Sequence, residues 1–172
     1  GSGLPVLGLV GYTNSGKTTL LNALTGEHSF ADPMPFATLD PLTRKARLGE
    51  GREALVTDTV GFIRDLPPDL SSAFRATLEE ILEVDGLVHV LDAASPELES
   101  KRTMVEGFIE GILGRPAAPL LVLNKADRLD PGAKAALAGR FPEGQLVSAK
   151  TGEGLDRLRA RLAVFLSGLQ GR

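Results

Sequence analysis

The segment from Gly11 to Thr18 fills every fixed position of the phosphate-binding loop pattern G-x-x-x-x-G-K-[ST]. Its glycines allow successive backbone N–H groups to point at phosphate oxygens, and Lys17 adds a positive charge near the β and γ phosphates. The hydroxyl of Thr18 can ligate Mg²⁺. A chance glycine-rich turn is the alternative, but an apolar strand-like run precedes the segment and a helix-like run follows it. The pattern therefore predicts binding of a nucleoside triphosphate.

A second phosphate-reading segment, Asp58-Thr59-Val60-Gly61, follows the apolar run 54–56. The carboxylate of Asp58 can hold Mg²⁺, directly or through a water. The backbone N–H of Gly61 can meet the γ-phosphate because no side chain intervenes. A D-x-x-G pattern alone is weak evidence, but this one comes after both a phosphate loop and a strand. We therefore expect Asp58 and Gly61 at the γ-phosphate end of the site.

Two later segments are suited to recognising a base. Asn124-Lys125-Ala126-Asp127 follows the apolar run 120–123, and Asp127 can accept hydrogen bonds from N1–H and the exocyclic amine of guanine. Adenine lacks that pair of donors, so a site built on this carboxylate should reject it. Ser148-Ala149-Lys150 follows a short strand at 145–147 and offers a backbone N–H to the guanine oxygen. An ordinary turn with a helix cap is the alternative for Asn124 and Asp127.

Size and composition restrict the class of protein. With 172 residues, 42% of them hydrophobic, the chain should form one domain with its own core. It has no cysteine and two isolated histidines, which leaves oxygen-ligated Mg²⁺ as the expected metal. No apolar run approaches the roughly 20 residues that span a bilayer, so we expect a cytoplasmic protein without membrane contact. The net charge of −3 gives no general attraction to nucleic acid.

Apolar runs at 6–10, 54–56, 87–91 and 120–123 alternate with segments long enough for helices, which predicts an α/β fold with a mostly parallel sheet. One helix is expected at Thr19–Thr25. A second helical stripe runs from Leu70 to Leu82, and a third from Leu155 to Leu169. Residues 1–3 look like an expression scar or linker, 4–168 like the domain, and 169–172 like a C-terminal tail. His89 lies inside an apolar run, which favours a core histidine over a general base.

The C-terminal helical stripe carries three arginines on its remaining surface: Arg157, Arg159 and Arg161. A solvated face is the favoured interpretation of these residues, and a patch that binds nucleic acid is the alternative.

These phosphate-reading and base-reading segments resemble the G-domain motifs of Ras-like, translation-factor-class GTPases, from about Val6 to Phe165. Longer strings resemble the GTPase domain of the HflX family more closely: Phe36-Ala37-Thr38-Leu39-Asp40-Pro41, the run from Asp58 to Pro67, and the run from Ala73 to Glu80. The resemblance implies a Ras-like P-loop GTPase fold. Its six-stranded, mostly parallel sheet would have an antiparallel edge strand near Thr43–Leu48 and helices on both faces.

The resemblance also implies a set of site residues. Lys17, Thr38 and Gly61 would act in catalysis, and Thr18, Thr38 and Asp58 would hold Mg²⁺. Thr38 would be the threonine that senses the γ-phosphate. GTP or GDP would be bound by Asn14, Ser15, Gly16, Lys17, Thr18, Thr19, Thr38, Asp58, Gly61, Asn124, Lys125, Asp127, Ser148, Ala149 and Lys150.

By the same resemblance, the chain would hydrolyse GTP to GDP and phosphate with Mg²⁺. The full-length protein would act as a switch on the large ribosomal subunit, and subunit binding by this domain alone would be weak or absent. We expect a monomer. A nucleotide-dependent binding module with negligible turnover is a second reading, and a P-loop ATPase or small-molecule kinase is a third that Asp127 disfavours.

Two positions bear on the rate of hydrolysis. Phe62 occupies the place where Ras-like enzymes carry a water-orienting glutamine, and it can neither donate nor accept a hydrogen bond, so intrinsic turnover should be slow. Asn14 lies three residues before Lys17. By resemblance it would coordinate K⁺ near the phosphates, and the alternative is that its side chain stabilises the loop by bonding to backbone.

Overall fold

The structure, a computed structural model, describes residues 3–12, 14–26, 42–58 and 83–170. These residues form six strands: β1 (Val6–Val10), β2 (Leu42–Arg47), β3 (Glu53–Asp58), β4 (Gly86–Asp92), β5 (Leu120–Asn124) and β6 (Gly144–Leu146). They also form four α-helices: α1 (Lys17–Thr25), α2 (Leu98–Leu113), α3 (Pro131–Arg140) and α4 (Leu155–Gln170).

All six strands belong to one sheet in the order β2-β3-β1-β4-β5-β6. The pairs β3/β1, β1/β4, β4/β5 and β5/β6 are parallel, and β2 pairs with β3 in the antiparallel sense at the edge. The α/β fold, the six strands and the antiparallel edge strand predicted from the sequence are confirmed. Because these pairs are parallel, the carboxyl ends of β1, β3, β4 and β5 lie at the same end of the sheet. Open α/β sheets bind their ligands at that end.

Helices cover both faces of this sheet. On one face, leucines of α1 and α4 pack against Leu7, Leu9 and Val56. On the other face, Val105 and Ile109 of α2 pack against β1 and β4, and α3 packs against β5. Side chains alternate between the faces along each strand, so the central strands are buried on both sides and read as continuous apolar runs.

Helices α3 and α1 begin differently, because a side chain caps α3 and none caps α1. Asp130 caps α3 by accepting a hydrogen bond from the N–H of Ala133 at 2.7 Å, and Pro131 occupies the first turn. Helix α1 begins at Lys17, two residues before its predicted start, and no side chain caps its N-terminus. A helix N-terminus without a capping side chain suits the binding of an anion.

Two of the three C-terminal arginines differ from the favoured interpretation, whereas Arg157 is exposed as that interpretation expects. Arg159 donates hydrogen bonds to the carbonyl oxygens of Leu24 at 2.9 Å and Ala23 at 3.0 Å, and also to that of Arg47. Arg161 donates to the carbonyl of Glu143 at 2.7 Å. A purely solvated face is therefore wrong for these two residues, because main-chain acceptors at the ends of neighbouring elements lie within their reach.

His89, the end of α4 and several residues outside the described ranges can also be compared with the sequence expectations. His89 is fully buried on β4, with Nδ1 3.2 Å from Glu106 Oε2, which fits a core histidine. Helix α4 continues to Gln170, two residues into the segment expected as a tail. Thr38, Gly61, Phe62 and the stripe from Leu70 to Leu82 lie outside the described residues. None of the helices within the described ranges is long and apolar enough to cross a membrane.

Candidate functional site

The loop between β1 and α1 depends on a glycine at Gly16. This residue has φ +90°, and a Cβ placed on it would lie 2.3 Å from the side-chain nitrogen of Asn124. Any other residue would therefore collide with Asn124 as well as strain the backbone. Asn14 also has a positive φ, 72°, a conformation that asparagine tolerates better than most residues.

The predicted phosphate and magnesium residues lie together at the start of α1. Lys17 Nζ is 3.0 Å from Asp58 Oδ1, and Thr18 Oγ1 donates to Asp58 Oδ2 at 3.0 Å. Lys17 is only 8% exposed, so the carboxylate of Asp58 compensates a largely buried charge. The end of β3 thus positions two side chains of α1 at once.

The donor set at this place fits magnesium. Mg²⁺ prefers hard oxygen ligands and is commonly held by one or two carboxylates together with substrate phosphates. Thr18 and Asp58 supply a hydroxyl and a carboxylate that already touch each other. Within the described ranges there is no group of three or more Asp, Glu, His or Cys side chains arranged so that they could hold a metal ion.

The base-reading segment is bonded directly to the phosphate loop. Asn124 Nδ2 donates to the carbonyl of Ser15 at 2.9 Å, and Lys125 Nζ donates to the carbonyl of Asn14. The other end of the Asn124 amide accepts from the N–H of Ala149 at 3.0 Å. Because both ends of this buried amide are bonded within the protein, Asn124 holds three segments of the site in one arrangement.

Tyr12 attaches the start of the loop to α2. Its hydroxyl is 2.6 Å from the sulfur of Met104 on that helix, and Lys101 Nζ lies 5.4 Å from the Tyr12 ring centre. The Ser15 side chain is buried, and its hydroxyl lies 3.1 Å from the place that a Cβ on Gly11 would occupy. The N–H of Ser15 donates to the carbonyl of Tyr12 at 3.2 Å, which closes a turn at the start of the loop.

Asp127 is held in its charged form. Its Oδ1 accepts a hydrogen bond from the Ser148 hydroxyl at 2.8 Å, and this bond is the main cause of the lowered pKa of Asp127. Lys150 and Arg128 lower the pKa further by their positive charges. Asp127 is exposed at the site, which leaves its carboxylate accessible to a ligand. An ionised carboxylate only accepts hydrogen bonds, as recognition of guanine donors requires.

One cavity is lined both by residues of the phosphate loop and α1 and by residues of the two base-reading segments. It has a volume of about 240 Å³ and is lined by Gly16, Thr19, Asn124, Lys125, Asp127, Arg128, Ala149 and Lys150. Seven of these eight residues were predicted from the sequence to bind nucleotide. The structure therefore brings together predicted residues that are more than 130 positions apart in the chain.

Asp92, at the end of β4, was missed in the sequence analysis. Its Oδ2 lies 3.6 Å from Lys125 Nζ and 3.8 Å from a guanidinium nitrogen of Arg128, while Oδ1 accepts from the N–H of Ala94 at 2.9 Å. The carboxylate therefore helps to place the lysine that holds the carbonyl of Asn14. Its position directly after an apolar run, like that of Asp58, was the available signal.

Comparison with known sequences gives consistent matches. Residues 6–125 match the family described as "50S ribosome-binding GTPase". The GTPase HflX of Chlamydia pneumoniae is 49% identical over 160 residues, which cover 91% of this chain and 33% of that protein. The GTPase HflX of Escherichia coli K12 is 40% identical over 168 residues, which cover 96% of this chain and 39% of that protein. The chain thus spans about a third of the length of these curated relatives.

Solved structures show the same fold. A GTP-binding protein from Sulfolobus solfataricus in complex with GDP is 30% identical, with a TM-score of 0.74 over 96% of this chain and 53% of that one. The FeoB G-domain from Methanococcus jannaschii has a TM-score of 0.63 over 93% of this chain and 96% of that one. At 24% identity the second likeness shows the fold alone.

The Ser148 hydrogen bond makes a testable prediction about Asp127. In Ser148→Ala the carboxylate loses its principal donor, so we expect its pKa to rise toward the ordinary aspartate value. The charged form is present above the pKa and is lost as pH falls through it, so the variant should lose that form at a higher pH than the wild type. A ¹³C NMR titration of labelled aspartate carboxyls measures this. Ser148→Thr keeps a hydroxyl and serves as the control; identical Asp127 curves for wild type and Ser148→Ala would contradict the assignment.

Proposed function

This chain belongs to the family of 50S ribosome-binding GTPases and is a GTPase domain of the HflX type, and from that membership we propose that it hydrolyses GTP to GDP and phosphate with Mg²⁺. One observation carries the proposal. The phosphate loop, the Asn124–Asp127 segment and the Ser148–Lys150 segment meet in one cavity, where Asn124 bonds to the loop across Gly16. That arrangement suits a guanine base and its phosphates at the same time.

In the proposed complex, Asp127 selects guanine. Its carboxylate would accept hydrogen bonds from N1–H and the exocyclic amine. The N–H of Lys150 would face the guanine oxygen, because the N–H groups of Ser148 and Ala149 already donate to Glu153 and Asn124. Adenine offers no matching donors on that edge and would leave the carboxylate unpaired, which is the condition under which polar sites discriminate strongly. The lowered pKa of Asp127 supports this role because the group stays charged through the neutral range.

The phosphates would lie at the N-terminus of α1. The uncapped N–H groups of that helix and the loop backbone donate to phosphate oxygens, and Lys17 adds its ammonium. Asp58 keeps Lys17 and Thr18 in place through two contacts of 3.0 Å. Mg²⁺, held by Thr18 and Asp58 together with the predicted ligand Thr38, would supply charge that stabilises the leaving phosphate oxygens.

Catalysis by Lys17, Thr38 and Gly61 remains part of the proposal, and so does slow intrinsic turnover, because Phe62 cannot orient a water molecule. In the full-length protein, the nucleotide state would control association with the large ribosomal subunit. The alternative is a nucleotide-dependent binding module with negligible turnover as an isolated domain. Phe62 is the specific feature that favours this alternative.

Turnover and its dependence on monovalent cations test the proposal. We expect slow release of phosphate from GTP, faster in K⁺ than in Na⁺, and none from ATP above background. Asn14→Gly should abolish the difference between K⁺ and Na⁺, since glycine keeps the positive φ of this position but has no amide oxygen. Steady-state phosphate release is measured for the wild type and for Asn14→Gly with GTP in K⁺ and in Na⁺, and for the wild type with ATP. Equal rates in both cations would leave Asn14 with a loop-stabilising role only, and no turnover in either would favour the binding module.

Replacing Asp127 tests base recognition. Asp127→Asn should shift preference from guanine to xanthine nucleotides, because an amide can donate to the xanthine carbonyl that replaces the exocyclic amine. Competition between GDP and XDP for the site measures the shift. Asp130→Asn is a matched control, since asparagine caps α3 as well as aspartate does and Asp130 does not line the cavity. Unchanged guanine preference in Asp127→Asn would refute the role of that carboxylate.

A further inference from the structure

Charged side chains are compensated unevenly over the surface of this domain. Around α2 and α3, most cations pair with carboxylates: Lys101 with Glu97, Arg102 with Glu106 and Glu143, Lys134 with Glu153, and Arg140 with Glu99. The charges of that side of the domain therefore largely cancel.

The opposite side, where the β2–β3 hairpin meets α1 and α4, is different. Arg159 directs its guanidinium to three main-chain carbonyls, and Arg52 donates to the carbonyl of Ala163 at 3.4 Å. A carbonyl satisfies a hydrogen bond but does not neutralise a full positive charge. Arg47 is exposed and forms no ion pair with a carboxylate in the part of the chain that the structure describes.

Arg47 and Arg159, together with Lys45, border a cavity of about 570 Å³, which we name the basic groove. It is lined by Leu24, Thr25, Gly26, Lys45, Arg47, Leu48, Glu53 and Arg159. The lining contains three cations, Lys45, Arg47 and Arg159, and one carboxylate, that of Glu53. The Glu53 carboxylate lies 3.6 Å from Lys45, whose side chain is 59% exposed. The groove is therefore positive in a chain whose net charge is −3.

The groove is also held in a fixed shape. Arg159 bonds to carbonyls of Ala23 and Leu24 in the last turn of α1, which are acceptors that the helix itself leaves open. A lysine on an edge strand such as β2 also discourages pairing with another strand, which would explain Lys45 alone. It does not explain the adjacent Arg47, whose charge has no carboxylate partner within the described ranges, or the arrangement of Arg47 and Arg159 around one concavity. The negative end of the α1 dipole compensates Arg159 in part.

We propose that the basic groove binds the phosphate backbone of RNA on the large ribosomal subunit. Guanidinium and ammonium groups contact phosphate oxygens irrespective of base sequence and release condensed counterions when they do so. The identity of the partner rests on the proposed function, because the family is described as 50S ribosome-binding. Gly26, Lys45 and Arg47 line the groove, and in the sequence Gly26 and β2 directly precede and follow residues 27–41, which contain Thr38.

The test compares two variants that lose the same charge in different places. Lys45→Gln/Arg47→Gln removes two cations of the basic groove, and Lys134→Gln/Arg140→Gln removes two cations that are paired with carboxylates. Co-sedimentation with purified large subunits is measured in a salt series from about 50 to about 200 mM, within the range where counterion release is large. Over that range the wild type should lose about tenfold more affinity than the groove variant, as expected for two phosphate contacts. The paired-cation variant should behave like the wild type.

Equal salt dependence of the groove variant and the wild type, or an equal loss of affinity in both variants, would overturn the proposal. The proposal also requires that this domain alone binds the subunit weakly at the lowest salt, and no binding of the wild-type chain there would overturn it. Binding to heparin as tight as binding to subunits would also overturn the commitment to RNA. GDP affinity and GTP turnover are measured on the same preparations. Both should be unchanged in both variants, so failure of the groove and failure of the nucleotide site are separate outcomes.

Discussion

The hydrogen bond between the Asn124 side chain and the carbonyl of Ser15 is the contact on which the rest of the site depends. It joins the end of β5 to the phosphate loop across a glycine that leaves no room for a Cβ. The same amide holds the Ala149 backbone, and the neighbouring Lys125 holds Asn14. A buried amide with both ends bonded fixes its partners in one geometry, because breaking either bond would leave a buried polar group unsatisfied.

The parallel sheet makes that contact possible. Strands β1, β3, β4 and β5 end at the same edge, so the loop, Asp58, Asp92 and Asn124 become neighbours although they are far apart in the sequence. Charge is then balanced locally. Asp58 compensates Lys17, and Asp92 lies beside Lys125. A domain of this kind can hold a highly charged ligand because its own charges are already fixed in position before binding.

Sequence patterns predicted most of the fold and the membership of the site. Apolar runs located β1, β3, β4 and β5, whereas the antiparallel strand β2 came from the resemblance to a known family. The motifs and that resemblance together named seven of the eight residues that line the cavity. Asp92 was missed because an aspartate after a strand has many uses, and its pairing with Lys125 follows from the adjacency of β4 and β5. Arg159 was misread because helical periodicity assigns a face and cannot reveal carbonyls contributed by residues more than 110 positions away.

In the proposed function, Asp127 and the phosphate loop form a single pocket selective for guanine nucleotides. Titration calorimetry of the wild-type chain with GDP and with ADP, both in Mg²⁺, tests this selectivity most directly. GDP should bind at least about a hundredfold more tightly than ADP, because adenine leaves the Asp127 carboxylate unpaired. Similar affinities for the two nucleotides would contradict the claim, even if both bound tightly.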